Sequence, residues 1–228
     1  MRRVVEPELM NDIAQAEAYA NADFEQADNL IMEAFNLHFP GTELKENILD
    51  LGCGPGNISF LFAKRFPDSK IIGIDGSAEM IRLASARKKA GLGLYDHITF
   101  ITDIIPGAVI PPVKYSAIVS NSLLHHLHYP EVLWNTIKQY SASDTKILIV
   151  DLFRPASKED ALGIVNRYAA EEPEVLQRDF YHSLLAAFTP KEIEQQLVDA
   201  GLTQLKLETI SDRHLLIAGE TKANYYSR

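Results

Sequence analysis

Cysteine is almost absent from this 228-residue sequence, and basic residues are outnumbered by acidic ones. Because Cys53 is the only cysteine, an intramolecular disulfide and a four-cysteine zinc site are both excluded. No apolar run approaches the ~20 residues that span a bilayer, and the polar N-terminal stretch does not have the pattern of a signal peptide. We therefore expect a cytoplasmic protein that is not embedded in a membrane. Lysine and arginine total 22 against 31 aspartates and glutamates, and the net charge of −9 disfavours nucleic acid as a partner.

Short β-branched runs alternate with amphipathic stretches through the first two thirds of the chain. The pattern predicts strands at residues 46–51, 70–75, 97–102, 115–121 and 146–151, with helices at 57–66, 77–90 and 130–140 between them. Near-continuous apolar strands separated by helices are typical of a parallel sheet that is covered on both faces. An additional helical pattern precedes the first strand, at residues 8–38.

The last third of the chain breaks this alternation. Residues 157–188 are predicted to form two helices divided before Pro173, and a capping box at residues 189–192 begins a helix that runs to Gly201. Two final strands, at 204–210 and 214–219, are joined by only three residues, so they must form an antiparallel hairpin. We expect one α/β domain with a Rossmann-like, doubly wound, seven-stranded sheet that is mostly parallel, with one antiparallel strand in the C-terminal hairpin. Its parts are a helical lid (8–38), a core (45–155), an inserted helical cap (157–188) and the last helix with the hairpin (189–220).

The stretch ILDLGCGPGN, residues 48–57, places three glycines directly after the first predicted strand and before a helix. Such a turn directs backbone N–H groups and a helix N-terminus at a ligand. The spacing Asp50-x-Gly52-x-Gly54-x-Gly56 differs from the G-x-G-x-x-G of dinucleotide-binding loops. An acid at its head suits a ligand that carries a cationic group better than it suits a pyrophosphate.

Polar residues also end the next three predicted strands. Asp75 can accept hydrogen bonds from ribose hydroxyls or cap the helix that follows it, and Asp103 can accept one from an exocyclic amine or stabilise a turn. Asn121 ends the fourth strand. Because the carboxyl ends of parallel strands share one edge of the sheet, these residues and the glycine loop together describe a nucleoside pocket.

Four segments in this order resemble the class I S-adenosylmethionine-dependent methyltransferases. They are ILDLGCGPGN, IIGIDGSAEMI, FITDI and YSAIVSNSLLHHL, and the resemblance covers roughly residues 45–220. The chain is most similar to the small-molecule branch that includes the ubiquinone and menaquinone methyltransferases. The resemblance implies S-adenosyl-L-methionine as the cofactor and a small molecule as the methyl acceptor.

The resemblance also implies a set of cofactor contacts. Gly52 and Gly54 would let the methionine end lie against the backbone, Asp50 would support the loop near the amino group, and Asp75 would hold the ribose. Cys53 is interpreted as a small loop residue and not as a nucleophile. The full set of expected contacts is Asp50, Gly52, Cys53, Gly54, Asn57, Asp75, Gly76, Ser77, Met80, Asp103, Ile104 and Asn121.

The candidates for the acceptor side carry less information. Methyl transfer from a sulfonium is an in-line displacement, so a general base is needed only where the acceptor loses a proton. His126 is a weak candidate for a residue facing the substrate, with a loop histidine bonded to backbone as the alternative. A metal site at His125-His126-x-His128 is disfavoured because adjacent side chains are expected to diverge.

Three further residues complete the substrate candidates, which are Tyr19, His126, Arg154 and Tyr168. Arg154 can pair with an anionic substrate or with a neighbouring carboxylate. Tyr19 belongs either to a lid over the cofactor or to a helix core, and Tyr168 lies in the inserted cap. Alternative functions are a nucleic-acid or protein methyltransferase, an NAD(P)-dependent oxidoreductase, and a nucleoside-binding protein without catalysis.

Overall fold

A computed structural model describes residues 1–5, 12–22, 25–106 and 110–222 of the chain. The predictions for residues 8–11 and 23–24, within the expected N-terminal helical segment, lie outside the described residues. In the described ranges, no helix has both the length and the apolar character to cross a bilayer.

Seven strands in the described residues form a single mixed sheet with the order β3-β2-β1-β4-β5-β7-β6. Their bounds are β1 Asn47–Leu51, β2 Lys70–Asp75, β3 Ile98–Thr102, β4 Tyr115–Asn121, β5 Ser141–Leu152, β6 Lys206–Thr209 and β7 His214–Glu220. β1 to β5 pair in parallel, whereas β7 runs antiparallel to both β5 and β6. The predicted doubly wound sheet with one antiparallel strand in a C-terminal hairpin is confirmed.

β5 begins five residues before the predicted start at Lys146. Its polar first residues pair with β4 across a register shift that lies between Tyr115 and Ala117. There the Thr145 hydroxyl donates to the Tyr115 carbonyl at 2.6 Å and accepts from the Ala142 N–H at 2.7 Å. This irregular extension has no apolar pattern, which is why the sequence does not indicate it.

Eight helices in the described chain cover the two faces of the sheet or its carboxyl edge. They are α1 Ile13–Asn21, α2 Glu25–His38, α3 Asn57–Arg65, α4 Ala78–Ala90, α5 Glu131–Tyr140, α6 Lys158–Tyr168, α7 Glu174–Ala186 and α8 Pro190–Asp199. The predicted break before Pro173 is confirmed, since Pro173 immediately precedes α7. The predicted capping box is confirmed as well, with reciprocal hydrogen bonds between Thr189 and Glu192.

The core lies in two layers, one on each face of the sheet. One layer surrounds Trp134 and Tyr115, and the other contains the phenylalanines of α2 and α3. Phe35 of α2 is 1% exposed, and its ring meets that of Phe62 edge-on with 5.1 Å between centroids. α2 therefore belongs to the core. A smaller apolar cluster joins α6 and α7 to the end of β5 at Leu152, which holds the inserted cap over the carboxyl edge of the sheet.

Candidate active site

A cavity of about 480 Å³ opens at the carboxyl edge of the parallel strands. We distinguish two sides of it. The glycine-loop side is formed by lining residues within 50–58, 74–76 and 103–105 and by Met80, at and after the ends of β1, β2 and β3. The cap side is formed by lining residues within 168–183 of α6, α7 and their connection, together with Ile210, Arg213 and His214 of the hairpin. This edge is where open α/β sheets bind ligands.

The two glycines that were expected to contact the cofactor differ in what surrounds them. A Cβ at Gly52 would lie 2.8 Å from the Cβ of Leu123, so the close approach that requires glycine there is made by the protein itself. Gly54 has φ +51°, and a Cβ built on it would have no atom within 4 Å. Because Gly54 lines the cavity, any side chain at this position would enter the space available to a ligand.

Asp75, at the end of β2, links the glycine loop to the next helix. One carboxylate oxygen accepts from the Gly54 N–H and the other from the Ser77 N–H, both at 2.8 Å. Burial raises the pKa of this carboxyl group, and these two N–H donors oppose the shift. The expected capping role is therefore present, and each oxygen keeps a further lone pair for a ligand in the cavity.

Asp50 lies beneath the loop and is 1% exposed. Its carboxylate accepts a hydrogen bond from the Ser59 hydroxyl at 2.6 Å. Its pKa is raised to about 7, mainly by burial and also by the charge of Asp75, against the opposing effect of the hydrogen bond from Ser59. Asp50 is thus poised between its neutral and charged forms near pH 7, and a cationic group in the cavity would favour the carboxylate.

The cavity brings together eleven of the twelve expected cofactor contacts. They are Asp50, Gly52, Cys53, Gly54, Asn57, Asp75, Gly76, Met80, Asp103, Ile104 and Asn121. Ser77 is not among the lining residues: it is 1% exposed and caps α4, where its hydroxyl accepts from the Met80 N–H. The structure therefore places Ser77 at the cap of α4 and not in the cavity wall. Burial raises the pKa of the Cys53 thiol well above its usual value, as fits a loop residue that is not a nucleophile.

Two N-terminal helices contribute to the cavity wall. Tyr19 of α1 lines the cavity, and so do Asp28, Leu30 and Ile31 in the first half of α2. Burial raises the pKa of the Tyr19 phenol, and the charges of Asp28, Asp75 and Asp151 raise it further. The phenol is therefore protonated at neutral pH.

A buried histidine–aspartate pair closes the floor of the site and was not predicted. His125 Nδ1 lies 2.5 Å from Asp151 Oδ1, with side chains 3% and 1% exposed. The other oxygen of Asp151 accepts from the Leu124 N–H at 2.7 Å. Asp151 lies in the strand run KILIVD and His125 in the turn after β4, and only the pairing of β4 with β5 brings them together.

The expectation that the neighbouring histidines diverge was wrong. The rings of His125 and His126 lie 4.2 Å apart between centroids, at an interplanar angle of 35°. Both line the cavity. Within the described chain, no group of three or more histidine, cysteine, aspartate or glutamate residues is arranged to hold a metal ion.

Arg154 does not reach the cavity. It is 6% exposed, donates to the Ala187 carbonyl at 2.8 Å and forms an ion pair with Glu192 at 2.7 Å. The structure therefore shows the alternative of a neighbouring carboxylate partner and does not place Arg154 in the cavity wall. The guanidinium fastens the end of β5 to the capping box of α8.

The cap side contains the remaining substrate candidate, Tyr168, together with three hairpin residues that were not predicted to line the site. These are Ile210, Arg213 and His214. The hairpin connection returns to the carboxyl edge because β6 is parallel to the central strands. Burial, and to a lesser extent the charge of Arg213, lower the pKa of His214 to about 4, so this imidazole is neutral at pH 7.

Asp212 lies next to the lining residues and holds the end of α6 to the hairpin. Its carboxylate accepts from the Tyr168 hydroxyl at 2.9 Å and pairs with Arg213 at 3.0 Å and Arg167 at 3.1 Å. Desolvation alone would raise the pKa of Asp212, but the hydrogen bonds from Tyr168 and Arg213 and the two guanidinium charges hold it below its ordinary value.

Solved structures share this architecture. A SAM-dependent methyltransferase from Aquifex aeolicus is 15% identical with a TM-score of 0.66, over 92% of this chain and 99% of that one. The plantazolicin methyltransferase BpumL, solved with a triazolic desmethylPZN analog and SAH, is 18% identical with a TM-score of 0.66, over 92% of this chain and 90% of that one. At these identities the likeness shows the fold.

Curated relatives match shorter segments. A trans-aconitate 2-methyltransferase of Afipia carboxidovorans is 60% identical over 40 residues, which are 18% of this chain and 16% of that protein. One of Streptomyces avermitilis is 40% identical over 79 residues, which are 34% of this chain and 28% of that protein. The matched segments thus span between 16% and 28% of the length of these two relatives.

A family model described as "Methyltransferase domain" matches residues 19–207. The match includes the glycine loop, the ends of β1 to β5 and the whole inserted cap, so it extends over well above half of the chain. The chain therefore belongs to the methyltransferase domain family.

Proposed function

We propose that the protein is an S-adenosyl-L-methionine-dependent methyltransferase that acts on a small molecule. The observation that carries the proposal is the open space at Gly54, whose backbone N–H is held by Asp75 at the edge of the cavity. A glycine in the left-handed region with nothing in front of it is what close approach of a ligand to the backbone requires. Family membership and the folds of the solved relatives support the same conclusion.

The residues of the glycine-loop side fit this cofactor. Gly54 and Asp50 would receive the methionine end, where a carboxylate that ionises near pH 7 suits an ammonium group. Asp75 has lone pairs left for the ribose hydroxyls, and Met80 and Asp103 would contact the adenine. Asn121 would lie near the methionine portion. When bound, S-adenosyl-L-methionine supplies an electrophilic methyl group on a sulfonium.

The chain's own residues then orient the acceptor and exclude water. Phe180, Leu176 and Tyr168 on the cap side provide an apolar wall, which strengthens electrostatic interactions within the closed site. His126 also lines the cavity, and we retain it as the candidate that would take a proton from an acceptor that must lose one. Tyr168 is retained as a substrate contact.

We further propose that the lid is α1 alone. The expected lid at residues 8–38 included α2, but Phe35 ties α2 to the core. α1 has one fully buried residue, Ala16, and contributes Tyr19 to the cavity. A helix with so little core contact belongs to the less stable part of a structure, from which moving lids are drawn. A cytoplasmic location stays a prediction from composition.

Calorimetry with S-adenosylhomocysteine and NAD tests the cofactor assignment. We expect binding of S-adenosylhomocysteine and no binding of NAD, and the reverse would favour an oxidoreductase. Transfer of label from methyl-labelled cofactor to a pool of small metabolites, compared with transfer to RNA and to protein, tests the acceptor class. Binding of the cofactor without label transfer to any acceptor would indicate a nucleoside-binding protein without catalysis.

A further inference from the structure

The cap side of the cavity holds a single guanidinium. Among the described residues that line the cavity, Arg213 is the only lysine or arginine. It lies in the connection between β6 and β7, at the same edge of the sheet as the glycine loop. Its side chain is 20% exposed, so it is partly enclosed and still accessible from the cavity.

Two contacts fix the plane of this guanidinium. Its central carbon lies 3.4 Å from the centroid of the Tyr168 ring, and Nη1 donates to Asp212 at 3.0 Å. Asp212 is itself fixed by the Tyr168 hydroxyl. The Nε and Nη2 atoms of Arg213 donate to no described residue. A stacked guanidinium whose Nε–Nη2 edge has no protein acceptor among the described residues can donate two parallel hydrogen bonds to a planar group with two oxygens, such as a carboxylate.

The charges around Arg213 do not cancel. Arg167 also pairs with Asp212, so two guanidinium groups face one carboxylate and leave one positive charge. Arg167 is 67% exposed and does not line the cavity, which leaves Arg213 as the group that a ligand would meet. A single carboxylate would balance the cluster.

The rest of the cap side opposes further negative charge. Ala169, Leu176, Phe180 and Ile210 give it an apolar surface, which Leu152 at the end of β5 extends. Its other charged residues are the acids Glu172 and Asp179, and Asp179 is held in place by the Gln15 side-chain amide at 2.6 Å. A second or third carboxylate on the acceptor would lie against apolar surface or against these acids, at a cost in desolvation and repulsion.

We propose that Arg213 binds the one carboxylate of a predominantly apolar acceptor, and that the site rejects di- and tricarboxylates. The inference rests on the proposed function, because it treats the cap side as the acceptor half of a methyltransferase site. It separates this protein from the trans-aconitate 2-methyltransferases whose segments it matches, since the substrate named for them carries three carboxylates.

The test is calorimetry on protein saturated with S-adenosylhomocysteine. The probes are 4-hydroxybenzoate and phenylacetate, their primary amides, and trans-aconitate. We expect both monocarboxylates to bind about tenfold or more tightly than their amides, as for a hydrogen-bonded charge pair, and trans-aconitate to bind more weakly than either acid. Amides that bind as well as the acids, trans-aconitate as the tightest probe, or no binding of either acid would overturn the proposal.

Variants separate a direct contact from a general charge effect. Arg213→Gln should remove about tenfold or more of the affinity for the acids and change the amides less than about twofold. Arg213→Lys keeps the charge without the planar guanidinium, so its affinity for the acids should lie between those of the unsubstituted protein and Arg213→Gln. The matched control Arg167→Gln removes the same charge from the same partner outside the cavity, and an equal loss in this variant would refute a direct contact.

The first measurement in every protein is the affinity for S-adenosylhomocysteine. If the unsubstituted chain does not bind it, the proposed function fails before any probe is tested. If it binds and the acid-over-amide preference is absent, the inference about Arg213 fails alone. An unchanged affinity for S-adenosylhomocysteine in Arg213→Gln also shows that this variant is folded.

Discussion

On the glycine-loop side of the cavity, short runs of sequence form the wall, because each strand delivers a polar residue at its end. On the cap side, residues from the α6–α7 insertion, up to Ser183, meet a hairpin connection that begins only at Ile210. The shape of the glycine-loop side depends largely on the backbone, because Asp75 accepts hydrogen bonds from two backbone N–H groups and the main chain at Gly54 is exposed to the cavity. The cap side is fixed by side chains that stack and pair. Substitutions on the first side should therefore affect the cofactor, and those on the second the acceptor.

The largest expected effect is at Gly54. Gly54→Val places a side chain in the cavity, and we expect calorimetry to detect no binding of S-adenosylhomocysteine. Gly41→Val is a matched control, because Gly41 also has a positive φ (+70°) and no atom within 4 Å of a built Cβ, but does not line the cavity. Both variants should lose ~1–2 kcal/mol of stability from the left-handed backbone, and only the first should lose the ligand. Equal affinities in the two would remove Gly54 from the site.

A smaller loss is expected at Asp75. Asp75→Ala leaves the Gly54 and Ser77 N–H groups without their acceptor and removes the proposed ribose contact, so affinity for S-adenosylhomocysteine should fall by ~1–3 kcal/mol. Asp103 makes a local bond to the N–H of the next residue at 2.8 Å, and Asp103→Ala should cost less. Comparing the two variants shows which strand end contributes more to cofactor affinity. If calorimetry found a larger loss of affinity in Asp103→Ala than in Asp75→Ala, the expected order would be wrong.

Asp50 should make cofactor affinity depend on pH. Its pKa in the folded protein is about 7, above the ordinary 3.8, so this group lowers stability as pH rises from ~4 to ~7. A bound ammonium favours the carboxylate, so affinity for S-adenosylhomocysteine should rise from about pH 5.5 to 7.5, by up to about tenfold. Asp50→Asn keeps an acceptor for Ser59 and should flatten the profile. A slope that persists in this variant would assign the effect to another group.

The smallest effect concerns α1. If α1 is the lid, hydrogen exchange in residues 13–21 should slow several-fold when S-adenosylhomocysteine binds, as expected for a helix that closes on a ligand. α8 provides the internal reference, since none of its residues line the cavity, and its exchange should not change. Added protection in the glycine loop with none in α1 would leave Tyr19 as a static wall residue.

The sequence predicted the glycine-loop side well because its determinants are local. A strand, a glycine turn and a helix cap each depend on a short run of consecutive residues. Parallel strands then place their carboxyl ends at the same edge of the sheet, so the residues that follow them lie close together. Ser77 was predicted as a ligand contact and is a helix cap in the structure, because the two roles use the same kind of residue at the same place in the sequence. The hairpin could have pointed to Arg213, since β6 returns its loop to the carboxyl edge, but that conclusion requires the strand order.

Arg154 and Arg213 show why the cap side was harder to predict. Both arginines follow strands in the sequence, and nothing in their neighbours indicates which one faces the cavity. Glu192, the partner of Arg154, lies 38 positions away in a capping box, and the Tyr168 ring beneath Arg213 lies 45 positions away. Such pairs depend on how α6, α7 and α8 pack, which composition and periodicity do not encode.

The position of the hairpin has a consequence for the growing polypeptide. The residues that would hold the cofactor are complete once Asn121 has been added, whereas Arg213 and His214 are among the last of the cavity to be made. At ~5–20 residues per second, the ribosome needs about 5–20 s to add the residues between Asn121 and Arg213. The hairpin also contributes Leu215 and Ile217 to the core of the sheet. An intact C-terminal strand pair is therefore a condition for selective chemistry as well as for a closed sheet.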